Sequence, residues 1–228
     1  MVGCGGARRG KGVAKTKTLL ACGAIAGPLF VAVFLVEGAT RADYDPLRHP
    51  VSALALGDHG WTQTVNFLVA GLLTLASAAG LRRVVPPGRG STWGPLLIEA
   101  WAVGLLGAGV FVTDPVSGYP PGTPDRLLRN SWQGALHDLF SLAAFAALGA
   151  ACFVFGRWFA ARGQRGWAIY SVVTGVAFVV AFVISSAGFA QVAGLVDFAG
   201  LLQRVAVTVG FGWLTLFTVH LLSASPER

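Results

Sequence analysis

The chain has 228 residues, of which 54% are hydrophobic and 12% charged, with seventeen Lys+Arg against ten Asp+Glu for a formal charge of +7. A soluble globular domain carries about 25% charged residues, so this composition excludes an ordinary water-soluble fold. The basic excess sits between long apolar runs rather than on one face, which argues against nucleic-acid binding and for the charge bias of a membrane protein.

Residues 1–17 form a basic N-terminal tail with Arg8, Arg9, Lys11, Lys15 and Lys17. The apolar run that follows, Thr18–Val36, has the flavour of a signal peptide. It exceeds an ordinary h-region of about 7–15 residues, and no small-x-small cleavage site follows it, so it reads as a first membrane span. A helix needs about 20 mostly apolar residues to cross ~30 Å of hydrocarbon. Six stretches meet that requirement: Thr18–Val36, Thr62–Leu81, Trp93–Thr113, Gln133–Phe155, Trp167–Gly188 and Leu201–Leu222. Each mixes Gly, Ala, Ser or Thr with large apolar residues, as close helix contact in a bilayer requires. Trp61, Trp93, Trp132, Trp158 and Trp167 fall at or near the ends of these stretches, where interfacial tryptophans belong. The expected fold is therefore all-α: a polytopic membrane protein with one six-transmembrane-helix domain over residues 18–222 and a short C-terminal tail at 223–228. Cys4, Cys22 and Cys152 are odd in number and lack metal-ligand spacing, so no disulfide framework is implied.

The connections give an orientation. Arg82, Arg83 and Arg89, Arg157, Arg162 and Arg165, and Arg228 fall on the side of the basic tail, giving that side twelve positive charges. Arg41, Arg48, Arg126, Arg129 and Arg204 give the other side five. The positive-inside rule then places both termini in the cytoplasm and the protein in the cell membrane. The acidic residues Glu37, Asp43, Asp45, Asp58, Asp114, Asp125 and Asp197 all fall on or near the outer side. Two outer connections are long, Glu37–Trp61 and Asp114–Trp132, and loops beyond about 12–15 residues are usually functional or disordered. The first holds an apolar segment, Val51–Leu56, that Pro50 would start as a short interfacial or re-entrant helix. Both loops begin near Asp-Pro, contain Leu-Arg and end at a Trp followed closely by Gln, a faint internal repeat.

Ionisable residues inside a span cost several kcal/mol unless paired or hydrated, so each marks a candidate functional position. Asn66, Asp114, His137, Asp138, Gln203 and Arg204 come from four predicted helices and share the outer third of the bilayer. A compact bundle would gather them around one polar cavity, with Asp138 or Asp114 pairing Arg204 and with Ser52 and His59 of the first loop covering it. Helix-end polar groups that simply pair or snorkel explain the same pattern. An enzyme site would take Ser52 as nucleophile, or His137 and Asp138 as acid and base with Arg204 stabilising charge. A substrate or proton pathway would continue inward through Glu99 and His220. For those two the plain readings are a hydrogen bond to a neighbouring helix for Glu99 and headgroup contact for His220. Metal binding lacks a His-x₃-His pair on a helix, and neither metal nor cofactor is expected.

The segment from Tyr44-Asp45-Pro46-Leu47-Arg48-His49-Pro50-Val51-Ser52 to Gly57, with Gly60-Trp61 and Asn66-Phe67, resembles the bacterial integral membrane family called domain of unknown function 998. Asp114-Pro115, Gly134-Ala135-Leu136-His137 and Gly200-Leu201-Leu202-Gln203-Arg204 fit the same pattern, and the likeness runs from about Thr18 to Leu222. It implies a six-helix membrane protein without a settled activity, and marks Ser52, Asn66, Asp114, His137, Gln203 and Arg204. A looser similarity to intramembrane hydrolases of the ceramidase and progestin-receptor kind stops at the zinc-ligand histidines, which this chain lacks.

The resulting expectation is a membrane protein with an outward-facing polar pocket for a lipid or amphipathic small molecule. In that reading Asn66, Gln203 and Arg204 contact the ligand. A membrane-embedded enzyme using His137, Asp138, Asp114 and Ser52 is the alternative, and a small transporter the third. Membrane lipids are the expected partners, nucleic acid is not, and the sequence leaves the oligomeric state open.

Overall fold

The computed structural model describes residues 4–88, 90–126 and 128–224, with side chains from residue 12 onward. The side chains of Arg8, Arg9, Lys11, Arg89 and Arg228, which enter the charge count, lie outside the described residues. Six helices carry the chain: α1 (Cys4–Thr40), α2 (Gly60–Val84), α3 (Trp93–Val110), α4 (Trp132–Ala160), α5 (Arg165–Phe189) and α6 (Ala199–Ala224). All six are long and apolar enough to cross a membrane, and no strand occurs among the described residues. The chain is thus a multi-pass, all-helical membrane protein.

Local chemistry sets the helix ends. Ser131, in extended conformation, starts α4 by accepting a hydrogen bond from the Gly134 N–H at 3.0 Å. At the other end of α4 the Gln164 N–H bonds back to the Phe159 carbonyl at 3.0 Å, while Gly163 adopts φ +73°. α2 stops before Pro86-Pro87. α3 ends three residues earlier than the sequence suggests: Phe111 is extended, and Asp114 precedes Pro115, where the helical conformation is disfavoured. α1 extends back through the basic segment as far as Cys4.

Each helix packs on its neighbours in sequence, and α6 closes against α1, so the six form an antiparallel ring. Aromatic side chains fill its interior. Phe211 stacks on Phe30 with centroids 5.0 Å apart and meets Trp101 at 4.7 Å, while Trp213, Phe155 and Phe217 continue the column. α3 and α4 come very close: a Cβ at Gly107 would lie 2.2 Å from the Phe140 ring, and one at Gly104 2.5 Å from Ala144.

The connections 41–59, 111–131 and 190–198 share one end of the ring, here called the long-loop end. Val51–Ala55 in the first of them is a 3₁₀ turn after Pro50, and Val51, Ala53 and Leu54 are buried, so of the interfacial and re-entrant alternatives it is nearer the second and plugs the bundle. The two long loops do not fold as copies; the second instead carries an isolated bridge between Val116 and Tyr119. Trp61, Trp93 and Trp132 stand outward at helix starts as interfacial tryptophans would, whereas Trp158 is buried beneath the Arg162 guanidinium.

Candidate functional site

A cavity of about 590 Å³ occupies the ring at the long-loop end. Its inner walls are apolar, with Phe30, Phe67, Trp101, Leu105, Leu148 and Phe178 from five helices. Toward the loops the lining becomes polar: Ser52, Asp114, Arg126, Asn130, His137, Asp138, Ser141, Ser186 and Gln203. Of the expected site residues, the fold therefore gathers Ser52, Asp114, His137, Asp138 and Gln203 around one space, and leaves Asn66 and Arg204 outside its lining.

Arg204 is 7% exposed and has no carboxylate partner among the described residues, contrary to the expected pairing with Asp138 or Asp114. Its guanidinium instead donates to the carbonyls of Pro46 at 2.6 Å, His49 at 2.9 Å and Gly200 at 3.0 Å, and to the Tyr44 hydroxyl. The cause is a turn of the first loop over residues 45–49, whose carbonyls converge on α6 and satisfy a planar cation as a carboxylate would. Gly200 permits the approach, since a Cβ there would lie 2.5 Å from the His49 carbonyl oxygen. Gln203 joins the same latch, its Oε1 accepting from the Val51 N–H at 2.7 Å.

Tyr44 and His49 complete this latch. The Tyr44 hydroxyl donates toward Pro50 O at 2.8 Å, and burial pushes its pKa up to about 12 despite the nearby Arg204. His49 Nδ1 accepts from the Asp45 N–H at 2.9 Å, so that nitrogen is unprotonated. Burial holds the His49 pKa below its usual value, against the raising effects of a Ser117 backbone hydrogen bond and the Asp45 carboxylate. Arg48 then ties all three connections together, reaching Asp125 at 2.7 Å, Asp197 at 3.1 Å and the Ser117 carbonyl at 3.1 Å.

Asp114 caps α4. One carboxylate oxygen accepts from the Ser131 N–H and the other from its hydroxyl, both at 2.7 Å. Gly134 must be a glycine here because a Cβ would lie 2.2 Å from the carboxylate. Asn66 is a clamp between α1 and α2, donating to the Phe30 carbonyl at 3.2 Å and to Gln63 Oε1 at 3.1 Å.

His137 is different. It is 3% exposed, and its Nδ1 lies 2.8 Å from the Phe111 carbonyl and 3.0 Å from that of Ala108. Those carbonyls at the end of α3 are acceptors only, so Nδ1 carries the proton and Nε2 keeps its lone pair. No hydrogen bond engages Nε2 among the described residues. Asp138 is exposed at the rim, and its one hydrogen bond, from Asn130 Nδ2, is 3.4 Å long. The Ser52 hydroxyl has no hydrogen-bond partner among the described residues, and no residue links it to His137. His59 is outside the lining; its carbonyl anchors Arg41 at 3.1 Å.

Glu99 and His220 do not line this cavity. Glu99 pairs with Arg82 of α2, and His220 packs against Trp167 with centroids 4.5 Å apart. Below the cavity the ring is closed by Trp101 and Phe211. No group of three or more His, Cys, Asp or Glu residues able to hold a metal occurs among the described residues. Sequence reasoning missed Tyr44, Asn130, Ser131, Ser141 and Ser186. Only Ser131 carried a local signal, as a helix-capping serine just before an apolar helix.

A family model described as "Protein of unknown function (DUF998)" matches residues 24–220. No curated protein and no solved structure matches the chain.

Proposed function

Because the chain belongs to the DUF998 family, described only as of unknown function, we propose from its geometry that it holds a lipid or other amphipathic molecule in the cavity at the long-loop end. One observation carries this reading: apolar walls within the ring and polar groups toward the loops are two ends of a single space. An amphiphile matches that division, placing its chain among Phe67, Leu105 and Phe178 and its head near Asp138, with His137 as an acceptor. The charge bias of the connections puts the long-loop end outside the cytoplasmic membrane, both termini inside, and the cavity in the outer leaflet.

The test is native mass spectrometry of the protein purified from its membrane in mild detergent. A bound amphiphile of one molecule per chain is expected, and Val207→Phe, which fills the apolar wall, is expected to lose it while elution stays monodisperse. Equal retention by the variant would refute the reading.

A second reading, a membrane-embedded enzyme, is favoured by the His137 tautomer. A buried imidazole held by two carbonyls presents Nε2 as a ready proton acceptor. It predicts that the retained amphiphile turns over in the wild-type protein and that His137→Gln retains it unchanged.

A further inference from the structure

The α4–α5 seam is unequal along its length. In the half nearer the 161–164 turn the backbones nearly touch: a Cβ at Gly175 would lie 2.9 Å from Cys152 Cβ, and one at Gly156 3.0 Å from Val172. Gly149 is equally close to Val179 at 3.0 Å. Phe145 then stacks on Phe182, with centroids 4.1 Å apart, and closes the seam at that level. Beyond Phe145 no hydrogen bond, ion pair or ring contact joins the two helices among the described residues. Asp138, Ser141 and Leu142 of α4 and Ser186 and Phe189 of α5 line the cavity there. Leu142 lines the cavity and is 57% exposed. This stretch of the cavity wall lacks the close packing and ring contact that close the seam nearer the 161–164 turn.

The groups at the polar end are biased toward acceptors. His137 lines the cavity with no hydrogen bond to its Nε2 among the described residues, and Asp138 holds only the long bond from Asn130. Asp114 adds a second carboxylate, already bonded by Ser131. Among the described residues Arg126 is the one Lys or Arg in the lining, and it stands exposed on the second long loop. No buried Lys or Arg among the described lining residues would neutralise an anionic head, whereas a cation with several N–H donors would bond Asp138 and His137. Size sets a further limit. At ~30 Å³ for each water-sized group, the cavity takes about twenty non-hydrogen atoms, enough for one alkyl chain and a small head.

Resting on the cavity reading above, we infer that the ligand is a single-chain amphiphile with a protonated amine head, admitted from the bilayer through the α4–α5 seam and held by Asp138 and His137. The full chain would be titrated in mild detergent with dodecylamine, dodecanol and dodecanoic acid, with occupancy read by native mass spectrometry. Dodecylamine is expected to bind one per chain, about tenfold tighter than dodecanol, with dodecanoic acid weakest, as a charge-assisted hydrogen bond to a carboxylate implies. Asp138→Asn is expected to collapse the amine-over-alcohol preference. For the route, a chain with its cysteines replaced and Leu142→Cys alkylated by a bulky maleimide is expected to load dodecylamine at least about tenfold more slowly from nanodiscs than the unalkylated variant.

Equal binding of all three probes, still blocked by Val207→Phe, would overturn the amine assignment and leave the cavity reading standing. Binding that Val207→Phe does not block would overturn the cavity reading itself. Unchanged loading after alkylation would overturn the lateral route.

Discussion

The Arg204 guanidinium, buried at the start of α6, holds three backbone carbonyls and a tyrosine hydroxyl instead of an acid. Removing it leaves those carbonyls buried and unmatched, and each lost bond to a charged donor is worth about 1.5–3 kcal/mol before relaxation. Arg204→Met is expected to destabilise the protein by roughly 3 kcal/mol, seen as a lower melting temperature in detergent. Arg204→Lys should recover only part of this, because the three carbonyls converge on the one nitrogen Nη1, while the Nη2 bond to the Tyr44 hydroxyl has no counterpart in an ammonium.

His49 supplies a pH test of the same latch. Its folded pKa lies below the ordinary 6.5, so the unfolded chain takes up a proton before the native one does. Stability is therefore full above about pH 6.5 and falls as the pH drops toward the folded pKa. Melting curves between pH 7.5 and about pH 5 should record that loss, and His49→Asn, which keeps an acceptor for the Asp45 N–H, should flatten it. A wild-type melting temperature constant over this range would contradict the assignment. At this scale the sequence was half legible. That Asp114, His137 and Arg204 are unusual was visible from their depth in apolar runs, but their partners were not. Two of the three bind backbone carbonyls, and a carbonyl's position depends on how a distant loop folds, which no residue pattern announces.

Among the elements, the six spans were legible because the bilayer demands an uninterrupted apolar helix, and each predicted stretch overlaps an observed one. Helix ends were less so: α3 stops at Val110 although Phe111, Val112 and Thr113 are apolar enough to continue it. The turn at Val51 was expected as an interfacial or re-entrant helix, and it is a buried 3₁₀ turn because Gln203 and Arg204 of α6 hold the loop inward. Helix pairing was hidden in glycines whose meaning depends on what faces them. Gly107 faces the Phe140 ring, and a longer side chain there would push α3 from α4. Gly107→Leu is expected to cost about 1–3 kcal/mol by overpacking and to shift the His137 ring, whose Nδ1 depends on the Phe111 and Ala108 carbonyls of the same helix. The check is a melting temperature for Gly107→Leu against Gly212→Leu, because a Cβ at Gly212 meets nothing within 4 Å. Equal losses at the two positions would show that α3–α4 packing is not the limiting contact.

For the molecule as a whole, the ring places three connections and the cavity at one end and the start of α1 and the end of α6 at the other. Arg48 gives the long-loop end a mechanical unity, joining the connections that begin after α1, α3 and α5 through Asp125, Asp197 and Ser117. Arg82 and Arg83 at the end of α2, and Arg157 and Arg162 near the end of α4, stand at the opposite end. There they complement the helix C-termini as well as biasing insertion. Since the ring has an even number of antiparallel helices, one orientation decides the side of every loop. A chain with Cys4, Cys22 and Cys152 replaced would carry one new cysteine, at Pro121 in the second long loop or at Gln164 in the turn between α4 and α5. Both positions are exposed. A membrane-impermeant maleimide applied to intact cells is expected to label Pro121→Cys at once and Gln164→Cys only after permeabilisation. The reverse pattern would turn the cavity toward the cytoplasm, so that its ligand would be drawn from the inner leaflet and the positive-inside reading of the connections would fall.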